Sequence, residues 1–201
     1  MVLATLAVAL ASFMNILDTT IAVVAVPTIS GNLGATPSQG SWIFTIYSVC
    51  LAVVLPLSGW ISRRYGQVRV FCIALLLFTF TSWLCAIAET FNQLLLFRAF
   101  QGASGGLLVA LSQSLLLMIF PAEKHGLALG IWGITSAVAP VLGPVIGGYI
   151  TDNFGWPWIF LINLPVGAFS VYICWTLLPP FESETRRDRP TGLGGLISRS
   201  R

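Results

Sequence analysis

Charge is what this sequence most lacks. Only 8% of its 201 residues are Asp, Glu, Lys or Arg, against roughly 25% in ordinary soluble domains, while 56% are hydrophobic and the mean hydropathy is +0.88. That imbalance excludes a water-soluble fold. A membrane-spanning helix needs about 20 apolar residues, so the chain has room for about six or seven spans and none for a sizeable soluble domain. Residues that hold metals are scarce as well. The one histidine, His125, sits beside Glu123 and Lys124 behind Pro121, the setting of a solvated loop residue. Cys50, Cys72, Cys85 and Cys174 fall in separate apolar runs without a C-x-x-C or Cys/His spacing, and read as small apolar side chains. No nucleotide-binding P-loop, metal constellation or nucleophile–base pair is present, so nothing points to an enzyme or to a cofactor. No filter-like motif points to a channel. The net charge of +3 is not gathered on a face for nucleic acid, because the basic residues lie in the gaps between apolar runs. The apolar N-terminus has no basic lead-in and is interrupted by Asp18, unlike a signal peptide. It reads as the first span, with a start codon expected further upstream.

Apolar runs bounded by Gly, Pro and charge predict six spans, at about 3–28, 41–62, 69–88, 93–118, 127–150 and 157–178. Arg63, Arg64 and Arg69 follow the second span, Lys124 the fourth, and Arg186, Arg187 and Arg189 the sixth. The other connections have no Lys or Arg and carry Glu89 and Asp152. The positive-inside rule therefore puts both termini in the cytoplasm, with 181–201 as a basic tail. Trp42, Tyr65, Tyr149, Trp156 and Trp158 lie near span ends, where amphipathic rings favour the headgroup layer.

The chain also repeats itself. GWISRRYGQVRVFCIAL (59–75) and GYITDNFGWPWIFLINL (148–164) share six identities, among them Gly59/Gly148, Gly66/Gly155 and Phe71/Phe160. Three spans separate the two corners, so they face opposite sides of the membrane, and Arg63 and Arg64 in one become Asp152 and Asn153 in the other. Inverted triplets of helices are a recurring plan of secondary transporters, whose substrate sites lie near the midplane between repeats.

Two charges interrupt the apolar runs. Asp18 lies deep in the first span, where an ionisable group costs at least a few kcal/mol and requires a partner, water or a proton. Burial favours a neutral acid and a nearby cation favours a carboxylate, the balance a reversible proton carrier needs. Arg98, with Gln101 beyond it, lies about one and a half turns into the fourth span. Either its head snorkels outward or it turns inward to bias the charge of Asp18. Rise per residue puts it roughly 10 Å nearer the outer face than Asp18, which leaves direct pairing open. The fifth span contains APVLGPVIGG, in which Pro140, Gly143, Pro144, Gly147 and Gly148 allow either close packing or a hinge. Gly102, Ser104, Gly105 and Gly106 give the fourth span a similar stripe.

Together these segments resemble the major facilitator superfamily, and within it the 14-spanner drug/proton antiporters of the EmrB/QacA type. LDTTIAVVAVPTI (17–29) looks like the first-helix motif of that branch, GWISRRYGQVRVF (59–71) like the superfamily loop motif, and LLFRAFQGASGG (95–106) like the fourth-helix motif. GPVIGG (143–148) resembles the antiporter signature of the fifth helix, and WPWIFLINLPVG (156–167) is the segment most specific to the branch. The loop motif departs at Arg63, where the family usually carries Asp; Gly59, Arg64 and Gly66 match.

The resemblance implies an all-α, six-helix N-terminal bundle with a 3+3 inverted repeat in a bacterial inner membrane. It implies proton coupling through Asp18 and Arg98, with Asn15 and Gln101 lining or supporting a substrate pathway. It also implies a conformational switch at Gly59, Arg64 and Gly66 and an antiporter hinge at Pro140 to Gly148. The expected partners are protons, amphipathic drugs and lipid, with a periplasmic adaptor and outer-membrane channel where there are two membranes. Two readings follow: proton-coupled multidrug efflux as part of a longer protein, or a truncated chain that is either a non-transporting fragment or a half-transporter subunit requiring a partner half. A frameshifted, truncated or split gene product is the expectation for a chain that holds one half of the pattern.

Overall fold

The computed structural model describes residues 2–178. The basic tail expected at 181–201 lies outside the described residues. Among the described residues seven α-helices follow one another: α1 (Val2–Asn32), α2 (Pro37–Tyr65), α3 (Gln67–Ala86), α4 (Phe91–Ile119), α5 (His125–Phe154), α6 (Trp158–Leu161) and α7 (Asn163–Leu177). Six stretches are long and apolar enough to cross a membrane, with α6 and α7 together forming the last. In lipid a helix satisfies its own backbone groups, which is why apolar runs of this length take that form. Several helices run past the expected apolar runs, because polar caps lie beyond the hydrocarbon. Thr36 accepts from the Gln39 N–H at 3.3 Å while its own N–H donates to Gln39 Oε1 at 2.8 Å, a reciprocal cap for α2. At α4 the Thr90 hydroxyl accepts from the Gln93 N–H at 3.3 Å, while Gln93 Oε1 accepts from the Glu89 N–H at 3.1 Å.

The helix partners match between the two triplets. α1 packs chiefly on α5 and α4 chiefly on α2, so the first helix of each triplet embraces the second helix of the other. The corners match too. Gly66, between α2 and α3, has φ 91° and Gly155, between α5 and α6, has φ 89°, a region that side-chain-bearing residues avoid. One conformational requirement thus accounts for the glycine shared by the two sequence corners.

Glycines set both principal contacts. A Cβ on Gly102 would meet the Tyr47 carbonyl oxygen, and one on Gly106 would come within 2.7 Å of the Leu51 oxygen, so α4 lies directly on the α2 backbone. On α5, a Cβ on Gly143 would meet the Thr20 hydroxyl and one on Gly147 would come within 3.1 Å of Ile21 on α1. Gly148 has nothing nearby. α5 continues as one helix through Pro140 and Pro144. In the most apolar stretches of α2 and α5 only 17% and 11% of residues are buried, against 56–61% in α1, α3 and α4, so these two helices present broad apolar outer faces.

Trp42, Tyr65, Tyr149 and Trp158 are exposed near helix ends, whereas Trp156 is buried, edge-on to Phe160 with ring centroids 6.3 Å apart. The turn at Gly155 folds Trp156 back into the bundle instead of out to the headgroups. Replacing Gly102 with Val should cost about 1–3 kcal/mol through overpacking, whereas Gly148→Ala should stay within about 0.5 kcal/mol. Unfolding of the two variants in detergent micelles measures the difference.

Candidate functional site

At the centre of the bundle the two intramembrane charges meet. Arg98 Nη1 lies 2.6 Å from Asp18 Oδ2, and both side chains are at most 1% exposed. Arg98 therefore turns inward instead of snorkelling, and its long side chain spans the offset counted from helix rise. The pair links α1 to α4, the first helices of the two triplets.

Gln101, one turn beyond Arg98, ties the pair together. Its Oε1 accepts from Arg98 Nη1 at 2.6 Å, and its Nε2 donates to Asp18 Oδ1 at 3.2 Å and to Ser82 Oγ at 2.7 Å. Asn163, the first residue of α7, donates through Nδ2 to the same Asp18 Oδ1 at 2.7 Å and to Ser82 Oγ at 3.3 Å. Asp18 thus receives three donors, from Arg98, Gln101 and Asn163. Cys85 on α3 directs its thiol toward Gln101 Oε1 at 3.6 Å.

Aromatic rings close the cationic side. The guanidinium carbon sits 4.3 Å from the Tyr47 ring centroid and 5.6 Å from that of Phe160, within cation–π range. Arg98 Nε points to the Ile43 carbonyl at 3.5 Å, while Nη2 is buried without a hydrogen-bond partner. Asn15 donates to the Tyr47 hydroxyl at 3.0 Å and so steadies the ring rather than touching the charges. Asn15 and Gln101 are both buried, and neither borders an open surface in this structure.

The remaining sequence candidates lie elsewhere. Gly59, Arg64 and Gly66 belong to the α2–α3 corner, where Arg64 extends over the Trp60 and Tyr65 rings at 5.8 and 5.7 Å. Pro140, Gly143, Pro144, Gly147 and Gly148 lie along α5, of which only Gly143 and Gly147 press on α1. An open apolar groove on α3 and α7, lined by residues such as Leu76, Phe80, Trp83 and Tyr172, contains none of these charged groups.

Sequence reasoning missed Asn163, Ser82, Tyr47 and Phe160. Asn163 was open to discovery as an amide inside an apolar run, within the very segment WPWIFLINLPVG that stood out. Among the described residues no group of three or more metal-ligating side chains occurs. Removing one member of a buried ion pair typically costs about 3–5 kcal/mol, because the other charge is left unpaired. Asp18→Ala should therefore destabilise the bundle by that order, and the combined change Asp18→Leu with Arg98→Met should recover most of the loss. Denaturant unfolding in mixed micelles is the measurement.

Comparison with known proteins adds an independent finding. The family model described as Major Facilitator Superfamily matches residues 8–200. The Multidrug export protein EmrB of Haemophilus influenzae is 50% identical over 184 residues, covering 92% of this chain and 36% of that protein. EmrB of Escherichia coli is 45% identical over 194 residues, covering 96% and 38%. The Fatty acid resistance protein FarB of Neisseria gonorrhoeae is 50% identical over 192 residues, covering 96% and 38%. The chain thus spans somewhat over a third of the length of these relatives. In fold it is similar to the proton:xylose symporter XylE, with a TM-score of 0.76 at 15% identity, covering 91% of this chain and 46% of that one. That coverage fits a six-helix N-terminal half. With six membrane-length helices, a transporter fold and a family match along nearly its whole length, this integral, multi-pass membrane chain belongs to the Major Facilitator Superfamily.

Proposed function

We propose that the chain forms one half of a proton-coupled exporter of amphipathic organic compounds, in which Asp18 carries the proton and Arg98 responds to its charge. The observation that carries this reading is the buried Asp18–Arg98 pair joining the two helix triplets. The printed names of the relatives, multidrug export and fatty acid resistance, support organic compounds as the cargo.

The coupling follows from the cost of an unpaired buried charge. While Asp18 is ionised, the pair is neutral as a whole and the bundle interior can stay dry. A proton on Asp18 leaves Arg98 as a lone cation among Tyr47, Phe160 and apolar helices, a penalty of about 3–5 kcal/mol. A conformation that admits water or another acceptor relieves it. The proton is thereby exchanged for a change of packing between the triplets, the form that alternating access takes in such repeats. Gly143 and Gly147 would act as the sliding contact of α5 on α1, with Pro140, Pro144 and Gly148 as its bend, and Gly59, Arg64 and Gly66 as the switching corner between α2 and α3. Asn15 and Gln101 support this centre.

The apolar outer faces of α2 and α5 would meet a second six-helix half, supplied by the same polypeptide or by a partner. The distribution of Lys and Arg supports cytoplasmic termini, and the likeness to EmrB supports a bacterial inner membrane with adaptor and outer-membrane partners as candidates.

Drug-stimulated proton flux into vesicles tests the proposal, using the chain alone and the chain joined to a second half. Asp18→Asn and Arg98→Ala should each lower coupled flux at least roughly tenfold in the joined form, the effect of about 1.4 kcal/mol or more. Unchanged flux in both variants would remove these residues from the mechanism. Transport by the chain alone would show that no second half is needed.

A further inference from the structure

The proton carrier has a third partner that the charge-pair reading leaves unused. Asn163 is buried and sits at the start of α7, just after the interruption that separates α7 from α6. Its amide nitrogen donates to Asp18 Oδ1 at 2.7 Å and to Ser82 Oγ at 3.3 Å.

A proton arriving at Asp18 meets a difficulty of donors. Oδ2 is held by Arg98 at 2.6 Å, so the proton goes to Oδ1, where the two nearest groups, Gln101 Nε2 and Asn163 Nδ2, are themselves donors. An O–H facing only N–H groups in a dry interior has no acceptor, and one neighbour must change. Arg98 has no acceptor atom. Gln101 could offer Oε1 only by giving up Arg98 Nη1 at 2.6 Å. Asn163 can turn its amide about its terminal torsion without disturbing the ion pair. Ser82 complements the turn: its Oγ accepts from both amides, so its own hydroxyl hydrogen is free to rotate toward an acceptor.

We propose that Asn163 is the positioning residue that reads the charge of Asp18, donating through Nδ2 to the carboxylate and accepting through Oδ1 from the protonated acid, with Ser82 reversing its hydrogen bond in step. The change adds one proton at Asp18 Oδ1 and breaks no covalent bond. Two hydrogen bonds from Asn163, to Asp18 and to Ser82, are replaced by two hydrogen bonds to it. Because Asn163 opens α7 and Ser82 belongs to α3, the reversal carries the charge state of α1 to the third helix of each triplet.

Among the described residues no other titratable group competes for this role. The ionisable side chains around Asp18 are Arg98 on α4, Tyr47 on α2 and Cys85 on α3, and all three stand on the Arg98–Gln101 side. On α5, Tyr149 and Asp152 are exposed and His125 sits at the helix start beside the Phe120 carbonyl; on α7, Tyr172 is exposed and Cys174 is about three turns from Asn163.

The inference rests on Asp18 as proton carrier, and one titration separates the two. The chain is isotope-labelled at Asp carboxyls and Asn side-chain amides, placed in lipid nanodiscs and titrated by nuclear magnetic resonance, with Asp18→Asn and Asn163→Leu assigning the signals. The Asn163 amide should move with the same midpoint as the Asp18 carboxyl and stop moving in Asp18→Asn. A titrating Asp18 beside a silent Asn163 would overturn this inference and leave the proton carrier standing. An Asp18 that never changes protonation would overturn both. In Asn163→Leu, which keeps the bulk and removes the amide, the proton affinity of Asp18 should rise about fivefold, the difference of about 1 kcal/mol between a hydrogen bond to the carboxylate and one to the acid. Asn163→Ser, which both donates and accepts, should restore part of it. A change below about twofold in Asn163→Leu would reduce Asn163 to packing.

Discussion

A carboxylate and a guanidinium in contact inside an apolar bundle is the constraint on which the rest of this structure depends. Neither charge could be buried alone, since the residual cost of a single buried ion is several kcal/mol. Each is also hydrogen-bonded beyond its partner, with Gln101 touching both and Asn163 completing the shell on Asp18. The centre draws on α1, α2, α3, α4, α6 and α7, so most of the bundle packs around it. α5 gives it no polar group and instead seats α1 through Gly143 and Gly147.

The small residues of α4 belong to the same logic. Gly102 lies one turn beyond Arg98 and lets α4 rest on the backbone of α2 at Tyr47. That approach brings the Tyr47 ring under the guanidinium and the Ile43 carbonyl toward Nε. A side chain at Gly102 would part the helices and uncover the cation. Gly105 acts one turn along, leaving room for Asn15 and the Tyr47 hydroxyl, which a Cβ would approach to 2.5 and 2.7 Å. What reads in sequence as a packing stripe is also the device that closes the charged centre.

How much of this was legible in the sequence depends on whether the signal runs along one helix or between several. Six spans could be read because each apolar run must satisfy its own backbone in lipid, and Asp18 and Arg98 because charge in such a run is costly. The glycine corners were visible because Gly66 and Gly155 recur at one place in two similar segments. Pairing was not visible. Whether Arg98 turned inward or outward depended on lateral packing, which rise per residue does not describe. Asn163 carried no charge, and Ser82 and Tyr47 resemble the many hydroxyl and aromatic residues that line any span, so their roles emerge only when four helices are brought together. The break at Ile162 was hidden because WIFLINLPVG is as apolar as an unbroken helix.

The symmetry of the bundle sets the charge pair at the seam between its two repeats. α1 grips α5 and α4 grips α2, so each triplet is already interleaved with the other through apolar, glycine-mediated contacts that do not depend on protonation. The polar contacts are different in kind. Asp18 belongs to one triplet and Arg98, Gln101 and Asn163 to the other, so every hydrogen bond that Asp18 accepts from these side chains crosses between repeats. A change of charge at Asp18 would therefore act first on the junction between triplets, where these polar contacts lie. The seam between the repeats thus joins two kinds of contact, a buried polar centre whose energy depends on charge and a close helix packing set by glycines.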